Sequence, residues 1–118
     1  MRKKVYGKQL SRGRKSRTAL RKSLIRAMVL DGKIKTTKAK AKAIQPELER
    51  IMALVSQNDL SARRAVLAKL GNDSKVTAKI WADYLEFAKA RKSGFVKSTL
   101  LPRRKGDNAE LAILEWLK

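Results

Sequence analysis

The stretch from residue 18 to residue 55 constrains the fold most, because it predicts a helix, a tight turn, a short strand and a second helix in succession. Asp31 and Gly32 supply the turn, since Gly accepts a positive φ and Asp can bond its own backbone. Ile34, between polar neighbours, indicates a half-buried strand. The first helix has its predicted apolar face at Leu20, Leu24, Ala27 and Met28. The second has a longer apolar stripe, at Ala41, Ile44, Leu48, Ile51, Met52 and Val55.

The start of the second helix has a charge pattern that helix stability does not favour. Thr37 is a suitable N-cap. Lys38, Lys40 and Lys42 follow it, where the helix macrodipole disfavours cations. This misfit favours contact between the lysines and an external anion, of which a phosphate backbone is the simplest candidate. The alternative is a solvated lysine-rich face without a partner.

The rest of the chain predicts two more helices and a β-hairpin. Pro46 is expected to kink or briefly break the second helix near residues 42–46, because proline cannot donate the helical N–H bond. Asn58 and Asp59 mark a loop and the cap of a third helix over residues 60–70, and residues 72–74 cap a fourth. The apolar stripe of the fourth helix is predicted at Val76, Ile80, Trp81, Tyr84 and Ala88.

These patterns together predict an α+β fold, with about four helices packed on a small three-stranded sheet and with a basic N-terminal extension. The strands are expected near residues 33–37, 95–101 and 110–117. Residues 1–17 are predicted to form the basic arm, and residues 18–118 a single α+β domain.

The balance of charge is the strongest indication of a partner. The 118 residues carry a formal net charge of +20. Residues 1–42 contain sixteen Lys or Arg and one acidic residue, Asp31. Such a charge opposes folding by self-repulsion, so a polyanionic partner is the natural compensation. Nucleic acid is the first candidate and an anionic membrane surface the second.

Two segments outside the helices concentrate this charge. Residues 1–17 hold eight basic residues and no acid, with too few apolar residues for a helix stripe, so this arm is expected to order only against a partner. Arg103, Arg104 and Lys105 lie together at the predicted hairpin tip. Both segments suit phosphate contact, and for both the alternative is a solubilising surface segment.

The sequence lacks the side chains that most catalytic and metal sites use. It has no cysteine and no histidine, and its glycines are scattered rather than arranged as a phosphate loop. We therefore expect no enzyme activity, no catalytic residue, no metal, no cofactor and no small-molecule substrate. Aromatic residues make up only 5% of the chain, which favours recognition of the backbone and shape of folded RNA over stacking on bases.

The sequence also gives an expectation for location. The basic N-terminus lacks the apolar region of a secretory signal. No apolar run approaches the roughly 20 residues that a membrane-spanning helix needs. A cytoplasmic protein without a membrane partner is therefore expected.

Five segments spread over nearly the whole chain form a set. They read GKQLSR from residue 7, SRTALRKSL from residue 16, IKTTKAKAKAIQPELERIMALV from residue 34, DLSARRAVLAKL from residue 59 and PRRKGDNAELAILE from residue 102. In this order and at this spacing, they resemble the family of bacterial large ribosomal subunit protein seventeen.

The resemblance implies a non-enzymatic protein of the ribosome, embedded in large-subunit ribosomal RNA by its N-terminal arm. It also implies a place near the peptide exit side and contact with neighbouring large-subunit ribosomal proteins. The chain departs from the family at Ser16 and Asp31, where members often carry His, and Lys105 resembles an insertion. Residues 93–97 read Ser-Gly-Phe-Val-Lys instead of the family's Gly-Gly-Tyr-Thr-Arg, which leaves the contacts of that segment open.

The predicted RNA-binding residues come from the arm, the first helix, the start of the second helix and the hairpin. By resemblance, the positions expected at or near RNA are Arg12, Arg17, Arg21, Lys22, Thr36, Thr37, Lys38, Lys40, Lys42, Arg103 and Arg104. The charge of the arm and of the hairpin adds Arg2, Lys3, Lys4, Lys8, Arg14, Lys15 and Lys105.

Two other functions share part of this pattern. A general nucleic-acid-binding or DNA-compacting protein would have the same charge and the same lack of catalytic residues. A membrane-surface module is permitted by the basic amphipathic helix over residues 18–30, although this segment lacks the large aromatic anchors that such helices prefer. Preference for folded RNA over random duplex DNA, and a failure to float with liposomes, would separate the RNA-binding function from both.

Overall fold

Four helices pack on one antiparallel three-stranded sheet in the computed structural model, which describes residue 10 and residues 12–117. In chain order the elements are α1 (Arg14–Asp31), β1 (Lys33–Thr37), α2 (Lys38–Gln57), α3 (Leu60–Lys69), α4 (Ser74–Ala90), β2 (Val96–Leu101) and β3 (Leu111–Trp116). This arrangement confirms the predicted α+β class, the four helices and the three strands.

The last strand, β3, lies at the centre of the sheet. The strand order is β1-β3-β2, with both pairings antiparallel. Ala112, Leu114 and Trp116 belong to the hydrophobic core beneath the helices. Because successive side chains of a strand point to opposite faces, Leu111, Ile113 and Glu115 lie on the other side. We call this second side, with its partners on β1 and β2, the outer sheet face.

The core is built mainly from α2 and α4. All six positions of the predicted α2 stripe are buried, and so are all five of the α4 stripe. Trp81 and Tyr84 are therefore core residues, as predicted. The predicted face of α1 is partly wrong, because Ile25, Met28 and Val29 are buried there while Leu20 and Leu24 are only half-buried. Only the second half of α1 packs deeply, so the full-length pattern misplaced the face.

The start of α1 and the continuity of α2 differ from the prediction. Helix α1 begins at Arg14, one turn before residue 18, with Gly13 as its N-cap. The residues of this added turn are compatible with a helix, and the Arg17 N–H bonds the Gly13 carbonyl at 2.9 Å. Helix α2 is continuous across Pro46, so the predicted break is wrong. Buried residues on both sides of Pro46 keep the helix on the core despite the missing N–H donor.

Side-chain caps fix the starts of the other helices, as the sequence predicted. Thr37 Oγ1 accepts the Lys40 N–H at 3.4 Å, and Asp59 Oδ1 accepts the Ala62 N–H at 2.7 Å. Asp73 caps α4 in the same way. Between α1 and β1, Gly32 takes a φ of 82°, the left-handed conformation that glycine adopts at low cost.

The C-terminal end of α1 is bonded to two other elements. The Trp116 indole N–H donates to the Met28 carbonyl at 3.1 Å, and the Tyr84 hydroxyl donates to the Val29 carbonyl at 3.1 Å. The two rings lie 5.1 Å apart between centroids. Burial raises the pKa of Tyr84, so the hydroxyl keeps its proton as a donor. These bonds join α1 to α4 and β3 inside the core.

The Glu49 carboxylate fixes the beginning of β2. Its Oε1 accepts the N–H of Phe95 at 2.9 Å and the N–H of Val96 at 3.1 Å. Glu49 therefore connects the middle of α2 to the beginning of β2. Residues 93–97 depart from the family pattern, and this contact fixes two of them, Phe95 and Val96, against α2.

Leu48 tests this packing, because it is fully buried in the middle of the α2 stripe. Leu48→Ala is expected to lower the free energy of unfolding by about 2–5 kcal/mol, from lost burial and the cavity left behind. Denaturant unfolding followed by circular dichroism measures the change. Exposed Gln57→Ala on the same helix is the control, with an expected change within about 0.5 kcal/mol. A near-zero change for Leu48→Ala would contradict the packing of α2 described above.

Candidate nucleic-acid interface

An open groove of about 620 Å³ lies where β1 ends, α2 begins and the β2–β3 hairpin turns. It is lined by Lys35, Thr36, Thr37, Lys40, Leu101, Pro102, Arg103, Arg104 and Leu111. The pairing of Thr37 with Leu111, and of Leu111 with Leu101, places these three segments side by side. The groove thus brings together five predicted site residues from two distant parts of the sequence.

A smaller groove of about 340 Å³ adjoins the first on the other side of Thr37. It is lined by Thr37, Lys38, Ala39, Lys42, Ala109 and Glu110. The three lysines at the start of α2 are therefore divided between two grooves that share one threonine. The N-terminus of α2 opens at the same place, and its macrodipole favours an anion there.

Carboxylates of the hairpin hold three of these cations. Arg104 donates from Nε and Nη2 to the two oxygens of Asp107, at 3.0 and 2.7 Å. Glu110 contacts Arg103 Nη2 at 2.9 Å and Lys38 Nζ at 3.3 Å. Lys38 thus has a partner inside the fold, which the sequence argument for an external anion did not foresee. Within residues 12–117, Lys40, Lys42 and Lys105 form no ion pair.

The outer sheet face adds lysines that the sequence prediction did not include. Lys33 and Lys97 flank Glu115 from the two edge strands, and Lys35 lies opposite Ile113. All three lysines are exposed, and none forms an ion pair with another described residue. The alternation of Lys33, Ile34 and Lys35 could have revealed that both lysines share one strand face. The position of Lys97 beside them depends on the strand order, which the sequence did not give.

The predicted cations of α1 form a separate group that lines neither groove. Arg14 and Lys15 are exposed on the first turn, while Arg17, Arg21 and Lys22 are half-buried. Lys22 lies beside Gly71, near the turn between α3 and α4.

Two more features concern the predicted arm and α1. The Arg21 Nε is buried, with no hydrogen-bond partner in the described part of the chain. Arg12 donates to the Leu10 carbonyl at 2.7 Å. The predicted residues Arg2, Lys3, Lys4 and Lys8 lie outside the described residues.

This arrangement can bind an extended anion but offers no reactive group. Cations from β1, α2 and the hairpin surround an open groove, and hydroxyl and backbone donors lie among them. Across residues 12–117, no cluster of His, Cys, Asp or Glu side chains could hold a metal ion. No helix in that part of the chain has the length and apolar character needed to cross a membrane.

The hairpin pair provides a pH test of this geometry. The hydrogen bond from Arg104, helped by the Ala109 N–H, lowers the pKa of Asp107 from 3.8 to about 2. A depressed carboxyl pKa means that the pair stabilises the turn above the ordinary pKa and is lost as the pH falls through about 2. An NMR pH titration that follows the side-chain carboxyl carbon of Asp107 should give a pKa of about 2. Arg104→Gln should raise this pKa back towards 3.8. An ordinary midpoint in the unmodified protein would contradict the paired hairpin.

Comparisons with known proteins identify the family of this chain. A family model described as ribosomal protein L17 matches residues 20–117. A large ribosomal subunit protein bL17 of Hydrogenobaculum sp. is 37% identical, over 100% of both chains. One of Persephonella marina is 35% identical, over 100% of this chain and 96% of the relative. One of Chloroflexus aggregans is 36% identical, over 99% of this chain and 100% of the relative. The chain therefore belongs to the ribosomal protein L17 family, whose members are structural components of the ribosome and not enzymes.

Proposed function

We propose that this protein is a structural constituent of the large ribosomal subunit that binds large-subunit ribosomal RNA. Its contacts are the basic N-terminal arm, the basic face of α1, the lysine-rich start of α2 and the β2–β3 hairpin. Lys33, Lys35 and Lys97 extend the RNA-binding set that the sequence predicted. Neighbouring large-subunit ribosomal proteins are its other partners, and the ribosome in the cytoplasm is its location.

The convergence of cations around the 620 Å³ groove carries this proposal. Lys35, Lys40 and Arg103 come from three different elements and reach one open cleft. Lys35 and Lys40 have no carboxylate partner among the described residues, so their charge is available to phosphates. The relatives are named large ribosomal subunit protein bL17. A protein of the ribosome, an RNA-rich particle, would need such a surface to bind RNA.

The aromatic residues support recognition through the RNA backbone and not through base stacking. Phe87 packs edge-on against both Phe95 and Trp116, and Trp116 also contacts Tyr84. Trp81 is buried, and the Arg63 guanidinium lies 5.0 Å from its ring centroid. All aromatic rings of residues 12–117 are therefore engaged within the fold. Lysine, arginine and threonine side chains remain to contact phosphate and ribose.

Co-sedimentation tests the proposed place in the ribosome. The protein is expected to travel with large subunits at one copy per subunit through a sucrose gradient, and to remain there after a high-salt wash. Quantitative mass spectrometry of the gradient fractions measures the ratio. Subunits that lack the protein, with the protein free at the top of the gradient, would contradict the proposed function.

Replacing Arg103, Arg104 and Lys105 with Gln tests the hairpin. RNA affinity is expected to fall, and the slope of log K against log salt to decrease by up to about 2–3, since each phosphate contact contributes roughly 0.7–0.9. Filter binding to large-subunit ribosomal RNA at several salt concentrations measures both quantities. The cooperative thermal transition should persist, because residues 102–108 are exposed.

A matched control removes three cations elsewhere. Lys75, Lys89 and Lys92 are exposed and form no ion pair with a described residue. Replacing all three with Gln changes the net charge equally, so it isolates position from charge. An equal loss of affinity in both triple variants would show that the hairpin has no special part in RNA binding.

A further inference from the structure

We propose that Glu110 is a positioning residue of the RNA interface, which orients Lys38 and Arg103 towards phosphate. This inference rests on the proposed function and deepens it. It assigns a role in RNA binding to an acidic side chain on a surface that attracts a polyanion. A carboxylate there lowers the local positive charge, so its presence needs a physical reason.

The geometry gives Glu110 two separate contacts. Its Oε1 accepts a hydrogen bond from Arg103 Nη2 at 2.9 Å, and its Oε2 lies 3.3 Å from Lys38 Nζ. The backbone fixes the same residue, because the Lys38 N–H donates to the Glu110 carbonyl at 2.9 Å. Glu110 therefore links the first residue of α2 to the hairpin through both its main chain and its side chain.

Arg103 is held at two points, which leaves the rest of its guanidinium free. Nη1 reaches the Asn108 carbonyl at 3.4 Å, and Nη2 bonds Glu110. Arg103 also lines the larger groove, while Glu110 lines the smaller one. The guanidinium has five N–H donors in a rigid fork, so those not used by the hairpin can contact phosphate.

A role in fold stability does not account for this arrangement. The side chains of Lys38, Arg103 and Glu110 are 34%, 56% and 45% exposed, and ion pairs at such exposure contribute little to stability. Their effect on binding is different. Long cationic side chains lose conformational freedom when they bind, and prior ordering by Glu110 removes part of that cost.

Glu110→Gln separates orientation from charge, because the two effects have opposite signs. The substitution raises the net charge by one, which alone would tighten binding to any RNA. Loss of orientation should instead weaken binding to folded RNA by about 2- to 10-fold, the range expected when one additional side chain must be ordered on binding. Binding to flexible RNA of random sequence should stay unchanged or tighten.

Asp83→Asn is the matched control. Asp83 pairs with Lys79 at 3.1 Å, and its side chain is 47% exposed against 45% for Glu110. The control therefore removes one carboxylate of similar exposure from a similar ion pair outside both grooves. It should not weaken binding to either RNA.

The experiment measures the Kd of full-length wild type, Glu110→Gln and Asp83→Asn for two RNAs of equal length. One is the source organism's large-subunit ribosomal RNA, and the other is a random-sequence transcript. Thermal unfolding of each variant provides the stability reading.

The inference is supported if Glu110→Gln, and not Asp83→Asn, raises the Kd for ribosomal RNA. The Kd of Glu110→Gln for the random transcript should not rise, and its thermal transition should match that of wild type. It is overturned if Glu110→Gln behaves like Asp83→Asn, or if it weakens both RNAs together with the fold. A wild-type protein that does not prefer ribosomal RNA would overturn the proposed function as well.

Discussion

Two hydrogen bonds anchor the C-terminal end of α1 to the core elements α4 and β3. The last carbonyls of a helix have no partner within that helix, and buried carbonyls without partners are costly. The Tyr84 hydroxyl donates to the Val29 carbonyl, and the Trp116 indole adds a second donor to the Met28 carbonyl, which also accepts the Gly32 N–H at 3.0 Å. Each aromatic side chain thus contributes apolar area to the core and a donor to the helix end. This junction, together with the burial of Ile25, Met28 and Val29, positions the end of α1 and the Gly32 turn that leads into β1.

Charge and burial are separated in this fold. No charged residue in the described part of the chain is buried as a whole, so the core is built from apolar side chains. The cations lie instead on the surface, where they repel one another in the free protein. The carboxylates of Asp107 and Glu110 reduce this repulsion at the hairpin. On the outer sheet face, Lys33, Lys35 and Lys97 form no ion pair with a described residue, although Glu115 lies between Lys33 and Lys97.

The sequence predicted the elements well where a repeated pattern carried the signal. The α2 and α4 stripes repeat over several turns, so chance neighbours did not obscure them. The caps Thr37, Asp59 and Asp73 depend only on local chemistry and were also correct. The family resemblance was confirmed, and with it the expectation that the chain is not an enzyme. The α1 face was misjudged because burial there depends on which half of the helix meets α4.

Contacts between segments that are distant in the chain could not be predicted from the sequence. The pairing of β1 with β3, and not with β2, decides that Lys33 and Lys97 share a face. The contact between Glu110 and Lys38 likewise exists only because two remote segments meet. The five predicted site residues among those that line the larger groove were chosen one by one for charge or resemblance, and their convergence is a property of the fold. Whether they bind RNA stays a prediction.

The connections around the interface have a mechanical consequence. One residue, Gly32, separates α1 from β1, and no residue separates β1 from α2. These connections are too short to form flexible loops. A displacement of α1 would therefore also move β1 and the start of α2, which line the groove. The bonds to the Met28 and Val29 carbonyls also connect the end of α1 directly to β3 and to α4. Under the proposed function, α1 and the groove would therefore meet RNA as one stiff body, and the distance between them would set the spacing of the phosphates that both could bind.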